Sequence, residues 1–271
     1  MARLVQPAAP SRTHMTIHEG GPASSGPDVR RLTAVFGLAS VVLWLGQFPL
    51  YMQDDPSVSV YDGAALVRDF SRVQNVAFTR ILLDLGADVT GMIFAAGLGQ
   101  LIKQARPAYE WLGSLIFGSF AVWIGVTLVA NGLEGAAVLD TLRGSGDPSA
   151  VRALKEGTLL IYNGAIAFAI TGLFLGAAGY ATFATDVLPR WTGWLAYLAT
   201  ALCALSVPAM YGGPVDWTGS YNTGGWGPAL MANFPPAIWF IAASVALLRQ
   251  QQPRSGLPRA RPTPSDNGLL S

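Results

Sequence analysis

The chain is nearly without the side chains that hold metals or activate nucleophiles. Its one cysteine, Cys203, lies in an apolar stretch and reads as a small buried hydrophobe. Its two histidines, His14 and His18, sit in a polar N-terminal segment. No His/Cys cluster is available for haem, zinc, copper or an iron–sulfur centre, and no metal or other cofactor is expected. A Ser–His pair inside an apolar segment is equally unavailable, which removes the usual means of activating a serine. Charge is scarce too: 12% of 271 residues, against about 25% in an ordinary soluble domain. A net charge of +1 offers no basic face for nucleic acid. Of 17 basic residues only Lys103 and Lys155 are lysine, which with abundant Ala and Gly suggests a GC-rich bacterial genome.

Apolar residues take the place of charge. They make up 51% of the chain and gather into six runs, each near the roughly 20 residues that cross a bilayer as a helix. The expected fold is therefore an all-α integral membrane protein, a six-transmembrane-helix bundle whose standing partner is the lipid bilayer. Its crossings run over 32–52, 81–102, 111–130, 158–183, 191–211 and 229–248. Residues 1–31 and 249–271 read as disordered tails, with Met15 an alternative start, and 32–248 as the membrane domain. Lys and Arg number eleven of 17 on the side of the tails and short connections, which puts both termini in the cytoplasm of a cell membrane.

The longer connections carry their own signals. Leu66, Phe70, Val73 and Ala77 recur at helical spacing opposite Arg68, Asp69 and Arg72, the pattern of a short interfacial helix on the outer side. Asp147-Pro148 marks a helix start, and Trp217, Tyr221 and Trp226 suit an aromatic belt. The pair Pro235-Pro236 after Asn233 predicts a kinked or unwound outer third in the last crossing. Gly172 and Gly176 form a GxxxG pattern for close helix packing, within the subunit or in a homo-oligomer.

The two cytoplasmic connections look alike, Pro107 before Trp111-Leu112-Gly113 and Pro189 before Trp191-Thr192-Gly193, as a duplicated hairpin would. The run Val187-Leu188-Pro189-Arg190-Trp191-Thr192-Gly193-Trp194-Leu195 after a Gly-rich crossing resembles a motif of uncharacterised bacterial multi-pass membrane proteins grouped as a domain of unknown function. The likeness covers 158–211. It implies a six-helix bacterial membrane protein and brings no activity with it.

One constellation has chemical potential. Arg80, Asp84 and Asp88 fall at i, i+4 and i+8 on one stripe of the second crossing. A rise of 1.5 Å per residue sets Asp88 roughly 10 to 14 Å inside the outer boundary. There a carboxylate costs about 2.5 to 3.5 kcal/mol, so it must face the bundle interior and find a partner or a proton. One reading is a proton or cation site in which Asp88 exchanges protons and Arg80 holds Asp84 ionised. The other is architectural: Arg80 neutralises Asp84, while Asp88 bonds to Tyr162, Asn163 or helix backbone. Glu134 is placed to join Arg80 from the third crossing, or to be an acidic helix end beside Asn131 and Asp140, balanced by Arg143 and Arg152. Asn233 stands where the broken last crossing would expose carbonyls. A non-catalytic membrane protein, a proton- or cation-coupled small-solute transporter using Asp84 and Asp88, and an intramembrane enzyme follow in that order of expectation.

Overall fold

The computed structural model describes residues 28–142, 146–213, 215 and 219–250, and every regular element among them is helical. The expected tails within 1–27 and 251–271, with Arg143 and Trp217, lie outside the described residues. Eight α-helices follow in order: α1 (Val29–Leu45), α2 (Phe48–Tyr51), α3 (Gly63–Ala105), α4 (Glu110–Thr141), α5 (Pro148–Tyr162), α6 (Ala165–Thr185), α7 (Arg190–Ser206) and α8 (Trp226–Arg249). Six runs among them are long and apolar enough to cross a membrane: α1 with α2, α3, α4, α5 with α6, α7 with its following 3₁₀ turn, and α8. The protein is a multi-pass membrane protein.

The crossings form a closed ring. α1 packs on α3, α3 on α4, α4 on α6, α6 on α7, α7 on α8, and α8 returns to α1. At the end where the chain enters and leaves, Arg30 Nη1 donates to Gln250 Oε1 at 2.6 Å. Phe94, Phe120, Phe174, Trp239 and Phe240 meet inside the ring with centroids 4.7 to 6.1 Å apart, forming one aromatic cluster. We call the opposite end, where the longer connections gather, the cap end.

The segment expected to lie on the membrane surface is instead the first part of α3. That helix runs 43 residues, about 65 Å at 1.5 Å per residue, far more than the roughly 30 Å of hydrocarbon. Val73 (φ −106°, ψ 17°) interrupts it within that first part. The periodic face of Leu66, Phe70, Val73 and Ala77 meets Ala137 and Val138 of α4 and Val151 of α5, so protein rather than lipid covers its apolar stripe. The helix start at Asp147-Pro148 is present, with the Asp147 carboxylate accepting from Ser149 N–H at 2.8 Å.

Two further expectations change. The fourth crossing is broken between α5 and α6, because Gly164 adopts an extended conformation in which a Cβ would fall 1.9 Å from Leu160 O. The sixth is not: α8 is helical through Pro235 and Pro236. Pro236 cannot donate to Ala232 O four residues back. The Cys203 thiol of α7 lies 3.8 Å from that carbonyl as a weak donor, so a neighbour satisfies part of what the proline pair releases.

The likeness of the two hairpins has a packing basis. A Cβ on Gly113 would sit 2.9 Å from Gly99 Cα, and one on Gly179 would sit 3.2 Å from Gly193 O. Each hairpin thus brings a glycine of its second helix onto a glycine of its first, 99 to 113 and 179 to 193, the same separation of 14 residues. Within the motif, Thr192 O accepts from Trp239 Nε1 at 3.1 Å and binds α7 to α8. Gly172 and Gly176 face Thr200 and Cys203 of α7, so their ridge serves packing within the chain.

Gly113→Ala is expected to lower the melting temperature by several degrees, since overpacking a tight helix crossing costs about 1–3 kcal/mol. Gly118→Ala, whose Cβ would meet nothing within 4 Å, is the matched control and should leave melting unchanged or raise it. Equal melting of the two variants in thermal scans of detergent-purified protein would refute the close approach.

Candidate functional site

Both helix breaks deliver polar side chains to the ring interior. Between α1 and α2 the chain turns at Gly46-Gln47, ahead of Pro49 in α2, and buries Gln47. Between α5 and α6 the break leaves Tyr162 and Asn163 beside α3 and α8. A backbone that leaves the helix at membrane depth is tolerated where it lines a cavity, and here a cavity of about 320 Å³ is bordered by Gln47, Tyr162 and Asn163.

Asp84 stands at its edge, 4% exposed. Its Oδ1 accepts from Gln47 Nε2 at 3.0 Å; its Oδ2 accepts from Asn131 Nδ2 at 2.8 Å and Tyr162 OH at 2.7 Å. Neutral donors from three other elements converge on this carboxylate. Arg80, expected to hold it, turns elsewhere. Its Nη1 donates to both oxygens of Asp54 at 2.8 and 2.7 Å, its Nη2 to Glu134 Oε1 at 2.6 Å, and its guanidinium lies 4.4 Å from the centroid of the Tyr51 ring. Asp54, on the connection after α2, and Glu134, on α4, take up the guanidinium, while Asp84, one turn along α3, is occupied by its three neutral donors. The pairing of Glu134 with Arg80 is present, and the alternative of a solvated acidic helix end does not hold, since Glu134 is 2% exposed.

Lys155 of α5 completes a quartet, with Nζ 3.9 Å from Glu134 Oε1 and 5.2 Å from the centroid of the Phe70 ring. Two cations and two carboxylates balance there. Asp84 and Asp88 have no ion pair among the described residues.

Asp88 differs from Asp84. It borders the cavity at 2% exposure, and Thr127 Oγ1 of α4 donates to its Oδ2 at 3.0 Å. Its Oδ1 has no hydrogen-bond partner among the described residues. The expected bonds from Tyr162, Asn163 or helix backbone to Asp88 are not formed: Tyr162 goes to Asp84, and Asn163 Oδ1 accepts from Asn233 Nδ2 at 3.3 Å. Asn233 thus contributes its side chain from an intact helix.

Toward the other end the lining turns aromatic. Phe120, Phe168, Phe174 and Phe240 form the floor, and Trp44, Phe48 and Phe234 pack as a wall with centroids 4.9 to 5.8 Å apart. Phe120 reaches Asp88's own helix, since a Cβ on Gly91 would lie 2.5 Å from Phe120 Cζ, less than one turn from Asp88. No group of three His, Cys, Asp or Glu suited to a metal ion occurs among the described residues.

Sequence reasoning brought Arg80, Glu134, Asp84, Asp88, Tyr162, Asn163 and Asn233 to one end of the molecule, but missed Gln47, Asp54, Thr127 and Lys155. A lone Gln after Gly in an otherwise apolar run was the available signal for Gln47. Nothing local marks Asp54 or Thr127, whose partners lie 26 and 39 residues away.

Comparison with protein-family models, with curated proteins and with solved structures finds no match to this chain.

Proposed function

We propose that the protein is a non-catalytic carrier for a small solute, coupled to protons or another cation, with the central cavity as its binding chamber and Asp88 as the carboxylate that holds the coupled or carried charge. The single observation that supports this most is the contrast between the two carboxylates. Asp84 is tied by three donors and belongs to the frame, whereas Asp88 borders the cavity with one oxygen unpartnered among the described residues. A buried polar atom left unpaired calls for a reason, and a site that takes up and releases a cation supplies one. Two crossings broken at the cavity, and hairpins that share a glycine spacing, are the devices on which carriers built from repeats rely. The charge count favours a cytoplasmic location for both termini, and the resemblance over 158–211 favours a bacterial cell membrane.

Alternating access can be tested before any substrate is known. Thr171 borders the cavity. In a Cys203→Ser background, Thr171→Cys reconstituted in vesicles is expected to react with a membrane-impermeant maleimide added to either side alone, because a carrier exposes its chamber to both. Reaction from one side only, or from neither, would remove the transport reading.

A further inference from the structure

The chemistry of the solute can be read from the chamber. We propose that it binds a small organic ammonium ion with an aromatic or otherwise apolar body, the ammonium on Asp88 Oδ1 and the body on the floor of Phe120, Phe174 and Phe240. This rests on the carrier reading for the chamber's role, but not on transport for the fit.

Charge is the first argument. Around the cap end of the cavity stand the cations Arg80 and Lys155 and the carboxylates Asp54, Glu134, Asp84 and Asp88. The first two carboxylates share the two cations, which leaves Asp84 and Asp88 as the excess. Asp84 already accepts three hydrogen bonds, so its acceptor capacity is largely filled. Asp88 accepts one, and its free oxygen is buried at the cavity. An anionic ligand would meet repulsion there, whereas an ammonium ion would supply the donor that Asp88 Oδ1 lacks among the described residues.

The floor is the second argument. A bare inorganic cation would want several oxygens around it, whereas beyond Asp88 the lining is mostly aromatic, with the hydroxyls of Ser40 and Thr171 as its polar members. Phe120 packs at Gly91, so its ring lies within about one helical turn, some 5 Å, of the Asp88 level. Ring faces carry negative charge density and attract a cation while accepting apolar surface. Phe120 and Phe174 have centroids 5.4 Å apart, Phe174 and Phe240 5.7 Å, a continuous surface wide enough for one ring or a short alkyl body. A volume of about 320 Å³ restricts the ligand to the small end of the range of about 300–1,000 Å³ typical of small-molecule sites.

The test compares three compounds that share a phenylethyl body and end in a cationic, a neutral or an anionic group. Binding of 2-phenylethylamine, 2-phenylethanol and 3-phenylpropanoate to the full-length protein in lipid nanodiscs is measured by calorimetry. The amine should bind at least tenfold tighter than the alcohol, with the carboxylate weakest. Asp88→Asn should erase the preference for amine over alcohol, and Phe120→Leu should weaken the amine while keeping that preference. An amine that binds no better than the alcohol, or a preference that survives Asp88→Asn, overturns the proposal. Should Asp88→Asn fail to fold, the wild-type series decides alone and Asp88→Glu, which keeps the charge, must retain amine binding. Amine binding with one-sided labelling at Thr171→Cys leaves the ligand class standing and removes transport. Two-sided labelling without amine preference removes the ligand class and leaves transport.

Discussion

Glu134→Ala is expected to be among the substitutions around the cavity that lower the melting temperature of the detergent-purified protein most. Glu134 is 2% exposed, accepts from Arg80 Nη2 at 2.6 Å and lies 3.9 Å from Lys155 Nζ. Removing it takes a carboxylate away from two cations that are themselves 1% and 5% exposed. Breaking a buried pair in this way costs about 3–5 kcal/mol, because the remaining charge has lost both water and partner. Here Asp54 still holds Arg80 in two hydrogen bonds, which limits the loss on that side. At about 2–4 °C per kcal/mol for chains near this size, the fall should be on the order of 10 °C. Glu134→Gln keeps an acceptor for Arg80 and should fall less. Replacing Arg80, Glu134 and Lys155 together by Met, Leu and Met should recover most of the loss, since apolar substitution of buried ion clusters is often neutral and the remaining Asp54, 25% exposed, can turn to water. A Glu134→Ala protein that melts within about 2 °C of wild type would show that the quartet is solvated rather than buried.

What could be read from the chain follows from the range over which each signal acts. The six crossings were legible because a run of apolar residues is a local property, and the bilayer imposes its length. The cap was half legible. The spacing of Leu66, Phe70, Val73 and Ala77 identified a helix and its apolar face, but not whether lipid or the ends of α4 and α5 would cover it, because a helix face records only that it is buried. Helix continuity was read the wrong way round at two places. Pro235-Pro236 looked like a break, and the Cys203 thiol on another helix helps make it tolerable. Tyr162-Asn163-Gly164 looked continuous, and the crossing ends and restarts there, since Gly164 permits an extended turn that lines a cavity. In the site, the stripe of Arg80, Asp84 and Asp88 was placed on one helix face with Glu134 as a partner of Arg80, yet the second partner of Arg80 and the donors to Asp84 and Asp88 were not. Three acidic residues competed for Arg80, and the choice depended on depth across helices that the sequence orders only loosely. Asp54 won because the loop after α2 folds back over α3, a tertiary fact without a local trace.

The two carboxylates of α3, four residues apart, should respond to removal in opposite ways. Asp84→Ala leaves Gln47 Nε2, Asn131 Nδ2 and Tyr162 OH without their acceptor at once, and each stranded buried donor costs about 1–3 kcal/mol. Some will turn toward the cavity and recover a partner, so a net loss of about 3 kcal/mol is the expectation, near 10 °C in melting temperature. Asp84→Asn is a poorer probe, because Gln47 can turn its amide and present Oε1 to the new NH₂ group. Asp88→Asn strands nothing. The new amide oxygen still accepts from Thr127 Oγ1, and the new NH₂ group takes the place of an oxygen that had no partner among the described residues. No existing hydrogen bond is lost with it, so melting should be unchanged or raised by a few degrees. That sign carries functional meaning: a residue kept at a cost to stability is one that the fold does not need. If Asp88→Asn melts as early as Asp84→Ala, both carboxylates belong to the frame and the carrier proposal loses its anchoring residue. If only Asp84→Ala falls, the frame is Asp84 with its three donors, and Asp88 is the residue whose chemistry the cavity exists to use.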